Sequence, residues 1–510
     1  MRLPGLALLV GFAVLAPRAE GSGVVSVQGQ NQLEYSLSSE ADRDSTVPRE
    51  IFENWLDADI RFDRFLAGFR YEAFLPHELR PDSLRQGIVQ RYAQAEYPFG
   101  GIRVGNFYEI FGRGLLFRSY EDRSIRIDGN MDGVLLWGEK GRFKAKAFSG
   151  RIREIETDER TAVLRGADLG VSAGMGLGFG GSYLIQSAPS PNPAGYAVPP
   201  APRHTEAIGG RFSFIHQWFD AYYEGGRINR LFLTSSDRAR GITYDDLRGT
   251  GHYGALSIFP FGGLSITAEY KEYERFRFQP AGSAGTDYNN PPAATRETSY
   301  ALISRHPHQL NPNNEKGFQI EAVASPVAGS TVTLSRAESN RLNGDPFFHE
   351  WYAEWRQEVG GKYSAAAVYD YIRDEETGSK NHTPIVELGY HPGGEWSIRS
   401  EYQYQQSEVA LGTERNHLAL IEFHATYDLV FSVVGEHAAS LVPSFDPDNV
   451  PCAREKLDDF LYGQVDWFLS PQHHLSVMAG KRRAGFICVG GVCRFEPEFE
   501  GIECKLVSTF

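Results

Sequence analysis

Residues 112–130 read GRGLLFRSYEDRSIRIDGN, with Arg113, Arg118, Arg123 and Arg126 set among Glu121, Asp122 and Asp128. Side chains of these types can do two kinds of work. Facing each other across a water-filled opening, they form a charged constriction whose transverse field sorts ions and polar solutes. Paired with one another, they form a neutral salt-bridged plug. The near balance of charge leaves both readings open. The Leu115-Leu116-Phe117 core of the same stretch calls for burial, since each such side chain gains roughly 1.5–3 kcal/mol on leaving water.

Other motifs point to chemistry less well. GVSAG (170–174) matches a nucleophile elbow around Ser172, but the pattern needs a helix after it, and GMGLGFGGSYLIQS follows as a Gly-rich turn and another strand. GLGFGG (176–181) has dinucleotide spacing and likewise opens no helix to cradle a phosphate. His349-Glu350 begins like a zinc-protease helix, yet Ala353 stands where the second His is required. Arg305-His306-Pro307-His308 lacks nearby Cys or carboxylate partners and reads as a polar loop. Asp446-Pro447-Asp448-Asn449 reads as an ordinary turn. No catalytic set, metal or cofactor is expected, and a lipid-acting barrel enzyme finds no Ser/His/carboxylate spacing. In CVGGVC (488–493) Cys488 and Cys493 flank a turn, so they can face each other across a hairpin and form a disulfide in an oxidising compartment. Cys504 is expected to face lipid and Cys452 to lie in an outer loop.

The elements that would position these residues are strands. The segment MRLPGLALLVGFAVLAPRAEGSG has the layout of a secretory signal, which predicts a signal peptide over 1–21 and a single barrel domain over 22–510. Net charge is −14, which disfavours nucleic acid as a partner. Period-two alternation recurs through the chain. In GLSITAEYKEY (263–273), Leu264, Ile266, Ala268 and Tyr270 oppose Ser265, Thr267, Glu269 and Lys271; EWSIRSEYQYQ, KYSAAAVYDYIRD and FLYGQVDWFLS behave alike. Short turns (YPFGG, FPFGG, SPVAGS, HPGGE, LSPQ) alternate with long polar stretches at 187–204, 279–298 and 444–456. That asymmetry favours a transmembrane barrel over a soluble sandwich. Tyr97, Phe99, Phe259, Phe261, Tyr390, Trp396 and Tyr427 lie beside the short turns, as an interfacial girdle would. Turn signals predict an all-β, large antiparallel transmembrane β-barrel of about 24 strands (roughly 20–26), with short periplasmic turns and long extracellular loops. In GIECKLVSTF, Leu506 and terminal Phe510 share a face, like the C-terminal membrane-insertion signal of bacterial outer-membrane proteins.

Three stretches, VGNFYEIFGRGLLFRSYEDRSIRIDGNMDGV (104–134), TSYALISRHPHQLNPNNEKGFQIE (298–321) and RRAGFICVGGVCRFEPEFEG (482–501), together resemble an uncharacterised domain-of-unknown-function family of bacterial outer-membrane β-barrels. The resemblance covers nearly the whole mature chain. It implies the barrel fold and the bacterial outer membrane, and brings no catalytic residues.

The function expected is a porin-like channel or solute-binding/transport barrel, its lumen narrowed by infolded segments 112–130 and 299–315. In the second of these, Tyr300, Leu302 and Ile303 supply the apolar residues. The alternative is a structural, assembly or secretion-partner barrel with an occluded lumen. A TonB-dependent receptor would need a large plug domain before the barrel, whereas strands begin here near Val24. Expected partners are outer-membrane lipid, the barrel-assembly machinery and a small polar solute.

Overall fold

The computed structural model describes residues 25–39, 50–75, 85–153, 160, 162–189, 202–230, 248–280, 287–445, 451–489 and 492–510. The expected signal peptide and the Asp446–Asn449 turn lie outside these residues.

Twenty-four antiparallel strands form one ring, closed where Val25–Ser38 pairs with Phe499–Thr509. The residue pattern is inverted relative to a soluble protein. In the strand Ser397–Val409, Glu401, Gln403, Gln405 and Ser407 are buried toward the lumen while Tyr402 is exposed. Trp351, Trp355, Val386, Leu388, Ile421 and Val433 are exposed on the outside in the same way. A water-soluble sandwich would hide these and show the glutamines; a barrel in lipid does the reverse.

The five short turns read from sequence all fall at one end of the ring, and Tyr97, Phe99, Phe261, Trp396 and Tyr427 are exposed there. The opposite end carries the long connections, except that the joins at 341–345, 375–378, 410–411 and between Phe445 and Pro451 are also short; most of the expected long stretch 444–456 belongs to the strands Leu429–Phe445 and Pro451–Ser470. Ring closure has its own packing detail. Phe510 exchanges backbone hydrogen bonds with Gly29 (N to O 2.8 and 3.0 Å), and its ring lies where a Cβ on residue 29 would come within 2.3 Å. A side chain at position 29 would have to displace the terminal ring from that seat.

Three connections at the long-loop end turn inward. The first, 108–130, holds two small ribbons, Glu109–Phe111 with Phe117–Ser119 and Glu121–Asp122 with Ile127–Asp128. The second runs from Arg275 to Asn313 and includes the one-turn helix Ala301–Ser304. Its bounds differ from the expected 299–315: Phe276 and Phe278 are already fully buried inside, whereas Glu315 belongs to the strand Asn314–Ala324. The third, 483–498, carries the ribbon Gly485–Val489 with Val492–Glu496. This ribbon is separate from the barrel wall and lies in the connection between the last two wall strands, His473–Arg482 and Phe499–Thr509. Cys452 is likewise in a strand, Pro451–Ser470, and not in a loop. Ser172 sits in Val163–Gly174, followed by a tight turn and the strand Leu177–Pro189; no helix opens there.

Candidate functional site: the lumen inserts

The first insert is held by an arginine–carboxylate lattice shared with the barrel wall. Arg70, on Phe65–Phe74 and only 6 % exposed, donates a fork of two hydrogen bonds to Glu121 (2.7 and 2.8 Å) and a third to Asp57 (2.6 Å). Arg123 returns the link from the insert, donating to Asp57 (2.9 Å), Glu121 (2.9 Å) and Gln32 (3.0 Å). Arg126 reaches Glu53 and Glu34 (3.2 Å) on the first two strands. Planar forks of this kind fix geometry as well as charge. Asp128 accepts from Tyr108 (2.8 Å) and Arg153 (2.8 Å). Burial pushes the Asp128 carboxyl up, but Arg153, Asn130, Arg70 and Tyr108 outweigh it and hold it below the usual carboxylate range.

Within the segment itself, Arg123–Glu121 is an ion pair, and the other arginines meet aromatic rings or the wall. Arg113 lies over the Tyr222 ring (4.4 Å), donates to the Tyr253 hydroxyl (2.9 Å), and gives its backbone N–H to Glu224 (2.9 Å). Arg118 lies over Tyr120 (4.4 Å). Asp122 accepts from the backbone N–H (2.9 Å) and hydroxyl of Ser124. The anchors of Arg126 and Arg113 are far apart on the ring. Eight barrel strands, Phe65–Phe74 through Pro202–His216, separate them one way and twelve the other.

Between these anchors the wall changes character. Leu164, Leu184, Ala207 and Ile228 face inward, fully buried, and Phe111, Leu115, Leu116 and Phe117 pack on them with Phe148. A Cβ on Gly209 or Gly226 would stand 2.6 and 2.8 Å from the Leu116 methyls, so the two glycines form its socket. The insert therefore lies greasy side to an apolar wall patch and charged side to a polar one.

The second insert joins the first through Arg118 N–H to Tyr288 O (2.8 Å) and Asn289 Nδ2 to Leu115 O (3.1 Å). Farther along, Tyr300 and Ile303 pack with Phe347, Phe348, Tyr352 and Val368. Leu302 is bracketed by Gln403, which accepts from its N–H (2.9 Å), and Gln405, which donates to its carbonyl (2.8 Å). Arg305 then grips Glu436 on the wall, and Arg483 of the third insert donates to the same carboxylate (2.8 Å). One buried glutamate thus clamps two inserts. Between the first and third inserts lies a cavity of about 590 Å³ lined in part by Arg123, Arg126, Arg482, Arg494 and Glu496. Among the described residues, no three His, Cys, Asp or Glu side chains converge on a metal position. Cys488 and Cys493 stand opposite each other in register, and Cys504 is a free cysteine.

His306 and His308 of the second insert are both deep. His308 Nε2 lies 2.6 Å from Glu315 and 3.0 Å from Lys271; His306 Nε2 lies 3.1 Å from Gln405. Burial, and for His308 the neighbouring Lys271, push both imidazoles below the usual 6.5. A lowered folded-state value means the released insert binds more protons than the docked one. Docking is therefore at full strength above about pH 6.5 and weakens as pH falls below it. Limited proteolysis should cut within 287–313 faster at about pH 5 than at about pH 7.5; equal rates would contradict this assignment.

A family model described as "Family of unknown function (DUF6029)" matches residues 5–332 and 331–510. The chain belongs to that family. No protein of curated function matches it. Among solved structures, this DUF6029 barrel is similar to the E. coli P pilus tip assembly intermediate PapC-PapD-PapK-PapG, at 10% identity over 97% of this chain and 62% of that one, with TM-score 0.52. It is similar to the translocation pore of the P pilus usher PapC (9%, 95% and 99% covered, TM-score 0.49) and to the FrpB iron transporter from Neisseria meningitidis (10%, 95% and 82%, TM-score 0.40). At such identity the likeness shows the fold alone, that of a large outer-membrane barrel.

In this DUF6029 chain the sequence had marked the inserts but not their wall partners. Glu34, Glu53, Asp57, Arg70 and Glu436 are single polar positions in alternating strands, where lumen-facing polarity is the rule. Charge alone therefore could not single them out.

Proposed function

We propose that the protein is an outer-membrane barrel for a small polar solute, with its lumen narrowed at the long-loop end by three interlocked inserts. The observation that carries this reading is the Arg70–Asp57–Glu121–Arg123 lattice, which binds the first insert to the wall through charge-assisted forks. Arg113, Glu121, Arg123, Arg126 and Asp128 act as pinning groups of a plug more than as free charges of a selectivity ring, while the Arg118 and Asp122 side chains pair within the insert. Bulk salt screens such a lattice less than exposed pairs, because Arg70 is buried. Single-channel recording in planar bilayers tests the proposal: the intact chain should give small steps, and removing the first insert should enlarge them. Large stable steps from the intact chain would refute it.

The completeness of that pairing also favours the second reading, an occluded structural or secretion-partner barrel. There, neither the intact chain nor the insert deletion would carry a solute-selective current. In either case the exposed apolar belt meets outer-membrane lipid, and Leu506 and Phe510 present the last strand to the barrel-assembly machinery. We also assign Cys488 and Cys493 to a disulfide that stiffens the third insert. Non-reducing peptide mapping should recover the two linked; alkylation of Cys488 in intact protein would remove the assignment.

A further inference from the structure

Beneath the second insert, the wall buries two carboxylates that the lattice does not use. Asp370 is 0 % exposed and neither of its carboxylate oxygens has a hydrogen-bond partner; Glu350 is 4 % exposed and its Oε2 has none. Register makes them neighbours. Glu350 stands opposite Ile372 and Asp370 opposite Tyr352, so the two are diagonal on one inward face, within reach of each other's side chains. Leaving such a pair ionised and unpartnered is strongly unfavourable.

Two neutral oxygens complete the surroundings. Asn381 stands opposite Ile372, one strand on from Asp370, and Ser407 stands opposite Asn381. Asn381 is 0 % exposed; its Nδ2 donates to Ser379 (3.2 Å) while its Oδ1 has no partner. Ser407 is 2 % exposed and its Oγ has no partner either. Both lie on the same lumen face as Asp370. The neighbouring cation, Arg296, acts on both carboxylates through its charge but donates no hydrogen bond to either. It is already engaged with Glu321 and Glu354 (3.7 Å) and lies 4.2 Å over the Tyr352 ring. A cavity of about 270 Å³, lined in part by Arg296, Ser304, His306, His308 and Ile372, reaches Glu350 from the insert side.

We propose that Glu350, Asp370 and Asn381, with Ser407 beside them, form a binding site for a hard divalent cation of the calcium type. The donor set is all oxygen and carries two negative charges, which suits calcium and does not suit zinc or copper. Magnesium demands near-ideal octahedral geometry, which neighbouring sheet positions supply poorly. The bound ion would hold together the wall strands beneath the Tyr300–Ile303 anchor. The site stands independently of whether the lumen conducts.

The test is calorimetric titration of the detergent-solubilised, chelator-stripped full chain with calcium chloride, together with thermal melting. One saturable site is expected, with a melting midpoint that rises with calcium. Asp370→Asn and Glu350→Gln should each weaken binding about tenfold or more. The second variant guards against a fold defect in the first. Three results would overturn the proposal: no saturable calcium binding, binding unaffected by either substitution, or saturation by sodium alone. So would an Asp370→Asn protein that melts above the parent in calcium, because that is what removing an uncompensated buried charge does.

Discussion

Arg70→Ala is expected to release the first insert from the wall without unfolding the barrel. Arg70 touches Asp57, Glu121 and, at 4.0 Å, Asp128, while Arg123 bridges the first two from the insert and Arg153 holds the third. Its removal takes the buried guanidinium from between Asp57 on the wall and Glu121 on the insert and leaves Arg123 to bridge them. Breaking a buried pair from one side costs about 3–5 kcal/mol, far above the contribution of an exposed surface pair. That energy falls on docking of the insert, because the twenty-four strands keep their own hydrogen bonds. In bilayers the variant should open more often and to larger levels. Arg70→Lys keeps the charge but loses the two-pronged fork to Glu121, so it should fall between parent and alanine variant. Retained heat-modifiability on gels would confirm that the barrel itself survives. An alanine variant that records like the parent would mean that the lattice does not hold the insert.

Most of the scaffold could be read from residue order because a membrane barrel writes its fold in period two. Leu264, Ile266 and Tyr270 against Thr267, Glu269 and Lys271 declare two faces, and short turns such as FPFGG mark one rim. The inserts were legible for a different reason: Leu115-Leu116-Phe117 and Tyr300-Ala301-Leu302-Ile303 are too apolar for exposed loops. The inner surface that receives them was not. Leu164, Leu184, Ala207 and Ile228 break the alternation by being apolar toward the lumen, yet in sequence they only blur a strand. Gly209 and Gly226 look like strand weakeners until Leu116 is seen seated against them. The partners of the arginines were missed on the same ground. Opposite charges within 112–130 suggested internal pairing, but a chain lying along a wall meets that wall's side chains before its own.

The largest effect is expected from removing the first insert outright. Replacing 113–127 with a short Gly-Ser linker takes out Leu115, Leu116 and Phe117, all fully buried, along with Arg123 and Arg126, and leaves every barrel strand intact. A barrel of this strand number has a lumen wide enough for water once nothing fills it. Single-channel conductance of this variant beside the intact chain is the measurement that bears most directly on the account. The prediction is stable ohmic steps clearly larger than those of the parent, in keeping with a lumen that loses the first of its three inserts. Conductance unchanged from a correctly folded deletion variant would show that segment 113–127 does not obstruct the lumen, and would contradict the account.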